Sequence, residues 1–207
     1  MKLHQRIGAG LFISMMVTVC PGIGLSQQSA GTPAPRAAAR TAKDVAIIKD
    51  FEGRVDEYLK LQKDEAPGTV PSRPTPSAEK VVDGQQKLGA KIRSARPEAK
   101  QGDIFTPEIA SFFRRQIAKT LAGPHGGKIR ASLRHAEPVK PMSLKVNDDY
   151  PDGVPLQSTP ATLLLNLPTL PKELQYRIVG HDLFLVDANA NVIVDFIQGA
   201  IPATSTT

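Results

Sequence analysis

The sequence predicts an α+β protein, with about four helices followed by a small antiparallel β-meander of three to four strands at the C-terminus. Two observations predict this class. Before Pro138, apolar residues recur at three- and four-residue steps, as they do in amphipathic helices. After Pro138, they alternate with polar residues or form short runs between turn residues, as they do in strands. Helices and strands that are segregated along the chain are typical of the α+β class.

Residues 1–26 are predicted to be an export signal. Two positive charges lie in the first six residues, and the apolar, uncharged run Ile7–Val19 follows them. Gly24 and Ser26 place small residues where a signal peptidase reads, so cleavage is expected after Ser26. A spanning helix needs roughly 20 apolar residues, and this run is shorter. We therefore expect a cleaved signal rather than a retained anchor, and a periplasmic or secreted chain without a transmembrane helix.

Composition limits the chemistry of the exported chain. Cleavage after Ser26 would remove Cys20, the only cysteine, so neither a disulfide nor a thiolate metal site could form. The net charge is +6, with the basic residues concentrated in the helical part. For an exported protein this charge favours an anionic envelope polymer or lipid over nucleic acid as a partner. The simpler alternative is that these charges only solvate helix faces.

The first part of the chain is predicted to be a disordered tether at residues 27–41, rich in Ala, Pro, Ser and Gly, followed by a helical region at 42–138. A proline-rich linker at 65–76 interrupts the helical region. The apolar spacing predicts helices that begin at Ala42 and end before Pro67, and that span Pro76–Arg96, Pro107–Leu121 and Gly127–Ala136. Helix starts capped by a Thr-Pro pair are predicted at Thr75, Thr106 and Thr159.

The β region is predicted to span residues 139–202, with a disordered tail at 203–207. A first strand at Met142–Val146 would lead into a turn at 147–153, and a brief helix at Pro160–Asn166 would follow. Three further strands are then predicted at Leu174–Val179, Asp182–Asp187 and Val192–Ile197.

The lengths of the two turns between these strands predict their register. The two-residue loop at 180–181 pairs Val179 with Asp182, and the four-residue loop that follows pairs Asp187 with Val192. Continued without interruption, this register gathers eight apolar side chains on one face of the sheet, with Asp187 as the only exception.

The same register places Arg177, Phe184 and Asp195 in a row across the other face of the sheet. We take these three residues as the candidate binding site, because exposed apolar area beside charges suits a partner. The alternative is a solvated ion pair over an aromatic ring, which would stabilise the fold by less than about 1 kcal/mol.

Motifs for catalysis, metals or cofactors are weak. Around Gly127-Lys128, Ala122 and Ile129 occupy the positions where a phosphate-binding loop has its leading Gly and its Ser or Thr. Asp148, Asp149 and Asp152 match a calcium loop only in part, which leaves weak metal binding as an alternative. No serine nucleophile motif occurs. Carboxylate pairs meet only in space, so a hydrolase stays an alternative. We expect no catalytic residue, metal site or cofactor.

Two segments carry a resemblance. They are Gly102–Glu108 with its helix, and the pattern that begins at Leu170-Pro171, continues through Tyr176-Arg177 and ends at Ile193-Val194-Asp195. They resemble a group of small exported bacterial proteins of unassigned function, and the C-terminal part is similar to the closing hairpin of short periplasmic families. The resemblance implies a bacterial, exported, non-catalytic module.

The sequence therefore predicts a non-enzymatic envelope or secreted interaction module. Its partner would be an envelope protein or an anionic envelope polymer or lipid, and not nucleic acid. The alternatives are a carboxylate-dependent hydrolase that acts on envelope polymer and a weak periplasmic metal binder.

Overall fold

The structure is a computed structural model that describes residues 41–69, 77–134, 144–151 and 159–202. Within these residues the helices are α1 Ala42–Glu65, α2 Ala78–Ala95, α3 Pro107–Ala122, α4 Gly126–Arg134 and α5 Ala161–Leu164, and the strands are β1 Leu174–Val179, β2 Asp182–Asp187 and β3 Val192–Ile197. The predicted α+β class with a C-terminal antiparallel meander is confirmed. The predicted signal at 1–26, nearly all of the tether and the tail at 203–207 lie outside the described residues.

Helix starts follow local capping chemistry. Thr41 caps α1 in a capping box, in which its Oγ1 accepts from the Asp44 N–H at 3.1 Å. Thr106 caps α3 with proline in the first turn, as predicted. Ser77 caps α2, and Thr75 lies outside the described residues. At α5 no side chain caps the helix, so the prediction for Thr159 is wrong.

The core lies between the helices and one face of the sheet, which we call the inner face. Apolar side chains of α1, α2 and α3 join those of the sheet in a single buried cluster. Aromatic rings sit at its centre: the Phe51 and Phe113 centroids are 5.2 Å apart, and Phe113 meets Tyr176 at 5.8 Å. Each fully buried ring of this kind stabilises the fold by roughly 1.5–3 kcal/mol. The sheet is therefore fixed to the helices through its inner face.

The sheet has the strand order β1-β2-β3, and the predicted register is confirmed between β1 and β2. Between β2 and β3 it is confirmed only for the first two pairs, which end at Val186 and Ile193. A β-bulge then shifts the register, so that Leu185 pairs with Asp195 and Phe184 with Phe196. The uninterrupted register that we predicted is wrong beyond this point, because β3 contains one extra residue.

Residues 144–150 lie along the edge of β3, and Leu144 and Tyr150 of this segment pack against the second face of the sheet. Three backbone hydrogen bonds hold this segment on β3, from Asn147 N to Ile193 O, from Ile193 N to Asp148 O and from Tyr150 N to Asn191 O, at 2.8–2.9 Å. The segment is not the predicted strand: residues 146–148 turn, and residue 149 forms an isolated bridge. Residues 142 and 143 lie outside the described residues. Tyr150 of this segment belongs to a second apolar cluster on the second face, together with Val179, Phe184, Val186 and Ile193.

Candidate functional site

The predicted row across the second face is not assembled. Arg177 does lie opposite Phe184, as predicted. However, the bulge puts Phe196 beside Phe184 on the third strand, and the two rings stack with centroids 5.2 Å apart. Phe184 is only 3% exposed and belongs to the second cluster, and Asp195 is fully buried. Neither residue is an accessible group, so the predicted exposed row does not form, and the binding role of Arg177 stays a prediction.

Asp195 instead holds the loop between α2 and α3. Its Oδ2 accepts from the backbone N–H groups of Ile104 at 2.8 Å and Phe105 at 2.7 Å. Its Oδ1 accepts from Gly102 at 3.0 Å and from Phe196 at 2.7 Å. Burial raises the pKa of this carboxyl, and the four N–H groups oppose that rise by stabilising the carboxylate. The side chain is therefore committed to packing the loop on the sheet.

Asp187, at the end of β2, is a second fully buried carboxylate of the sheet. Its Oδ2 accepts from Tyr58 Oη and from Gln62 Nε2, both on α1 and both at 2.7 Å. Its Oδ1 accepts from the backbone N–H groups of Asn189 at 2.8 Å and Ala190 at 2.9 Å. Burial raises the pKa of the Tyr58 phenol, and the charge of Asp187 raises it further. Asp187, which the sequence predicted as the one charged residue among apolar side chains on its face, thus joins α1 to the turn between β2 and β3.

Arg96, the half-buried residue that follows α2, contacts both α1 and β3. Its guanidinium is 5.2 Å from the centroid of the Tyr58 ring, and its Nη2 donates to the carbonyl of Val194 at 3.3 Å. Burial lowers the pKa of Arg96, while Tyr58, Asp103 and Asp195 raise it. The buried charges of the inner face therefore serve to hold helices and sheet together.

One accessible concave surface of the described residues lies at the outer edge of β1 and has a mostly apolar lining. It is a groove of about 490 Å³, bordered on one side by residues 174–177 of β1 and on the other by residues 164–170. Leu165, which is 80% exposed, and Leu164, which is 39% exposed, stand along this second border. A volume of this size falls in the range of small-ligand sites, roughly 300–1,000 Å³.

Hydrogen bonds to β1 and two prolines hold the border of the groove that residues 164–170 form. Pro168 and Pro171 restrict the backbone between α5 and β1. Tyr176 Oη donates to the carbonyl of Pro168 at 3.1 Å, and Leu174 N donates to that of Pro171 at 3.0 Å. Thr159, which we expected to cap a helix, donates through its hydroxyl to the carbonyl of Tyr176 at 2.9 Å. Thr159 before α5, and Pro168 and Pro171 after it, are thus all hydrogen bonded to residues of β1, and these bonds shape the groove.

The charged and amide side chains of the groove come from Gln175 and Arg177 of β1, and Thr159 and Thr169 add hydroxyl groups. Arg177 Nη2 donates to Gln175 Oε1, and both side chains line the groove. Among the described residues, no ion pair involves Arg177. The described lining residues include no Asp, Glu, His or Cys. The groove therefore offers an apolar surface and one cation, which suits binding, and its described lining holds no carboxylate for acid–base chemistry.

The basic helices offer less than the charge balance indicated. Four of their arginines and lysines are paired with acids on the described surface, in the pairs Arg54–Asp50, Lys87–Asp83, Arg93–Asp149 and Arg115–Asp44. At these four positions the helical charge is met by surface acids, which agrees with the interpretation that such charges solvate the helix faces.

The calcium alternative finds no support in the described residues. Asp149 pairs with Arg93 at 2.7 Å, and Asp148 Oδ2 accepts from the backbone N–H of Lys145 at 3.0 Å. Asp152 lies outside the described residues. In the described part of the chain, no group of three or more His, Cys, Asp or Glu side chains could hold a metal ion.

Sequence reasoning missed the groove, although one signal was present. Four leucines occur in the five residues Leu163–Leu167, where the only helix is four residues long. A helix of one turn cannot bury all of them, so exposed leucine was to be expected. Only the position of β1, fixed by tertiary contacts, turns that exposure into a groove.

Comparisons with known proteins add nothing to this geometry. No helix that the structure describes is long and apolar enough to cross a membrane. No family model, no curated protein and no solved structure matches this chain. The resemblance to small exported bacterial proteins stays a prediction, and the function must be argued from the residues themselves.

Proposed function

We propose that this protein is an exported, non-enzymatic interaction module that binds its partner through the groove beside β1. The observation that carries the proposal is the combination of two exposed leucines with an arginine that makes no ion pair among the described residues. Exposed apolar surface in a concave site is typical of binding sites. Export follows from the pattern of residues 1–26 and is part of the proposal.

The engagement of the buried acids supports a binding function over a hydrolase. A hydrolase that uses two carboxylates needs both of them beside its substrate. Asp187 and Asp195 are fully buried, and each accepts four hydrogen bonds from the protein itself. No acid was found among the described residues that line the groove.

The test is a cross-linked pull-down from the native envelope fraction with the full-length protein, at low and at high salt. The key variant is Leu165→Asp, which places a charge in the groove at a position that is already exposed. The matched control is Val82→Asp, because Val82 on α2 is an exposed apolar residue that does not line the groove.

We expect the wild type and Val82→Asp to retain the same partner at high salt, and Leu165→Asp to lose it. Equal recovery by Leu165→Asp would show that the partner binds elsewhere on the molecule. Recovery of anionic polymer or lipid that high salt removes from all three proteins would assign binding to the basic helices instead. If the wild type recovers nothing, the hydrolase alternative gains weight.

A further inference from the structure

The chemistry of the groove narrows the class of ligand. One border is aliphatic, formed by Leu164, Leu165, Leu167 and Leu170, with no charged group. Only Thr169 and Thr159 add hydroxyl groups to the lining outside β1, and the Thr159 hydroxyl already donates to Tyr176 O. A ligand with many polar groups would leave them without partners along this border, which disfavours sugars and other polar chains. An aliphatic chain has no polar groups to leave without partners there, and its binding removes exposed leucine surface from water.

The charged group stands at the β1 side. Arg177 is held by its hydrogen bond to Gln175, and it makes no ion pair among the described residues. A guanidinium presents two parallel N–H groups that match the two oxygens of a carboxylate. The amide NH₂ of Gln175 can donate to the same anion, since its oxygen serves Arg177. One positive charge at the margin of an aliphatic groove is complementary to an amphiphile with a single negative head.

Resting on the proposed function, we infer that the groove binds a single aliphatic chain with a terminal carboxylate. The chain lies against the leucine border, and the carboxylate pairs with Arg177. The ligand is a free, single-chain amphiphile, because the described groove is concave, encloses about 490 Å³ and displays one cation. A bilayer surface would instead require a convex apolar face flanked by several cations.

The experiment titrates the full-length protein by calorimetry with three monomeric amphiphiles that share a dodecyl chain and differ in the head. They are dodecanoate, dodecyl maltoside and dodecyltrimethylammonium. We expect dodecanoate to bind roughly tenfold more tightly than the maltoside, and the cation to bind most weakly. Leu165→Asp should abolish binding of all three, whereas Val82→Asp should bind them as the wild type does.

Two further variants isolate the head group. Arg177→Gln should weaken dodecanoate binding roughly tenfold and leave dodecyl maltoside unchanged. Arg177→Lys keeps the charge and loses the fork, so it should restore only part of the affinity. Thermal unfolding of each variant shows that it is folded, and only folded variants are compared.

Other results would overturn the inference in distinct ways. Equal affinity for the three heads, or no effect of Arg177→Gln, would remove the carboxylate from the assignment. Binding to vesicles of anionic phospholipid without binding to dodecanoate would replace the single chain by a membrane. If no amphiphile binds while the envelope partner still depends on Leu165, the ligand class is wrong and the proposed function stands. If the partner is also independent of Leu165, both fall.

Discussion

Charged and apolar side chains meet both on the inner face of the sheet and in the groove at its edge, but the two carboxylates on the inner face are buried and fully hydrogen bonded, whereas the groove is accessible. On the inner face, Asp187 and Asp195 are fully buried among apolar side chains, and each accepts four hydrogen bonds. In the groove, Leu165 is exposed beside Arg177, which makes no ion pair among the described residues. A charge that the protein itself satisfies contributes to folding, whereas a charge left at an exposed apolar surface is available to a ligand. The comparison therefore separates the residues that stabilise this molecule from those that can serve a partner.

The largest expected effect comes from removing the buried carboxylate of β3. Asp195→Ala leaves four backbone N–H groups without their acceptor, two of them from buried residues of the loop after α2. We expect the free energy of unfolding to fall by about 3–5 kcal/mol. Since a domain of this kind is stable by roughly 5–15 kcal/mol in total, chemical denaturation should show a large shift of the midpoint.

The matched control for this change is Asp149→Ala. The Asp149 side chain is 64% exposed and pairs with Arg93 at the surface, so its loss should lower stability by less than about 1 kcal/mol. Similar losses for the two variants would mean that the buried carboxylate is not the structural link we describe, and the comparison between the two regions would fail.

These hydrogen bonds also explain how far the sequence could predict the fold. Alternation of apolar residues and the two-residue loop at 180–181 predicted the meander and the β1–β2 register, because both depend on neighbours along the chain. The bulge opposite Leu185 and Val186 could not be predicted in this way. It turns Asp195 toward the loop at 102–105, which lies about ninety residues away, and such a tertiary contact leaves no local pattern.

The candidate site was less predictable than the fold. Arg177 was chosen because the predicted register placed it beside Phe184, a pairing that the β1–β2 register confirms, and it also lines the groove. Phe184 is not an accessible group, because Phe196 stacks on its ring and Tyr150 joins it in the second apolar cluster. The leucine border belongs to a segment whose partner strand is known only once the chain is folded. Exposure, unlike periodicity, is a property of the whole molecule.

An intermediate effect is expected where α2 meets the turn between β2 and β3. A Cβ at Gly89 would lie 2.9 Å from the carbonyl oxygen of Ala190 and 3.1 Å from Cγ2 of Val192. Backbone must shift to relieve the first contact, so Gly89→Ala should lower the free energy of unfolding by about 1–3 kcal/mol. This loss would exceed the gain of up to about 1 kcal/mol that alanine gives in a helix.

The matched control is Gly53→Ala on α1, where a Cβ would have no neighbour within 4 Å. Here only the helical preference acts, and stability should rise by up to about 1 kcal/mol. Opposite signs for the two substitutions would confirm that α2 depends on close packing against the sheet. A gain at both positions would show that α2 is free to move away from the turn.

The smallest expected effect is on the pH dependence of stability. Burial raises the pKa of Asp195 above its ordinary value of 3.8. At pH values between the ordinary pKa of the unfolded chain and the raised pKa of the folded protein, this carboxyl binds more protons in the folded state. Its contribution to stability therefore falls as the pH rises through this window. Asp195→Asn does not titrate, and the other groups cancel when the two proteins are compared. The stability of the wild type minus that of Asp195→Asn should therefore be greatest at the acidic end of the window, decline as the pH rises, and level off above the raised pKa.

Urea denaturation at a series of pH values measures this difference, and Arg177→Gln serves as the control that should follow the wild-type profile, because the described groove lining contains no acid. A difference that grows with pH would mean that the four N–H donors outweigh burial and lower the pKa, which would make the buried carboxylate a stronger link between loop and sheet than we describe.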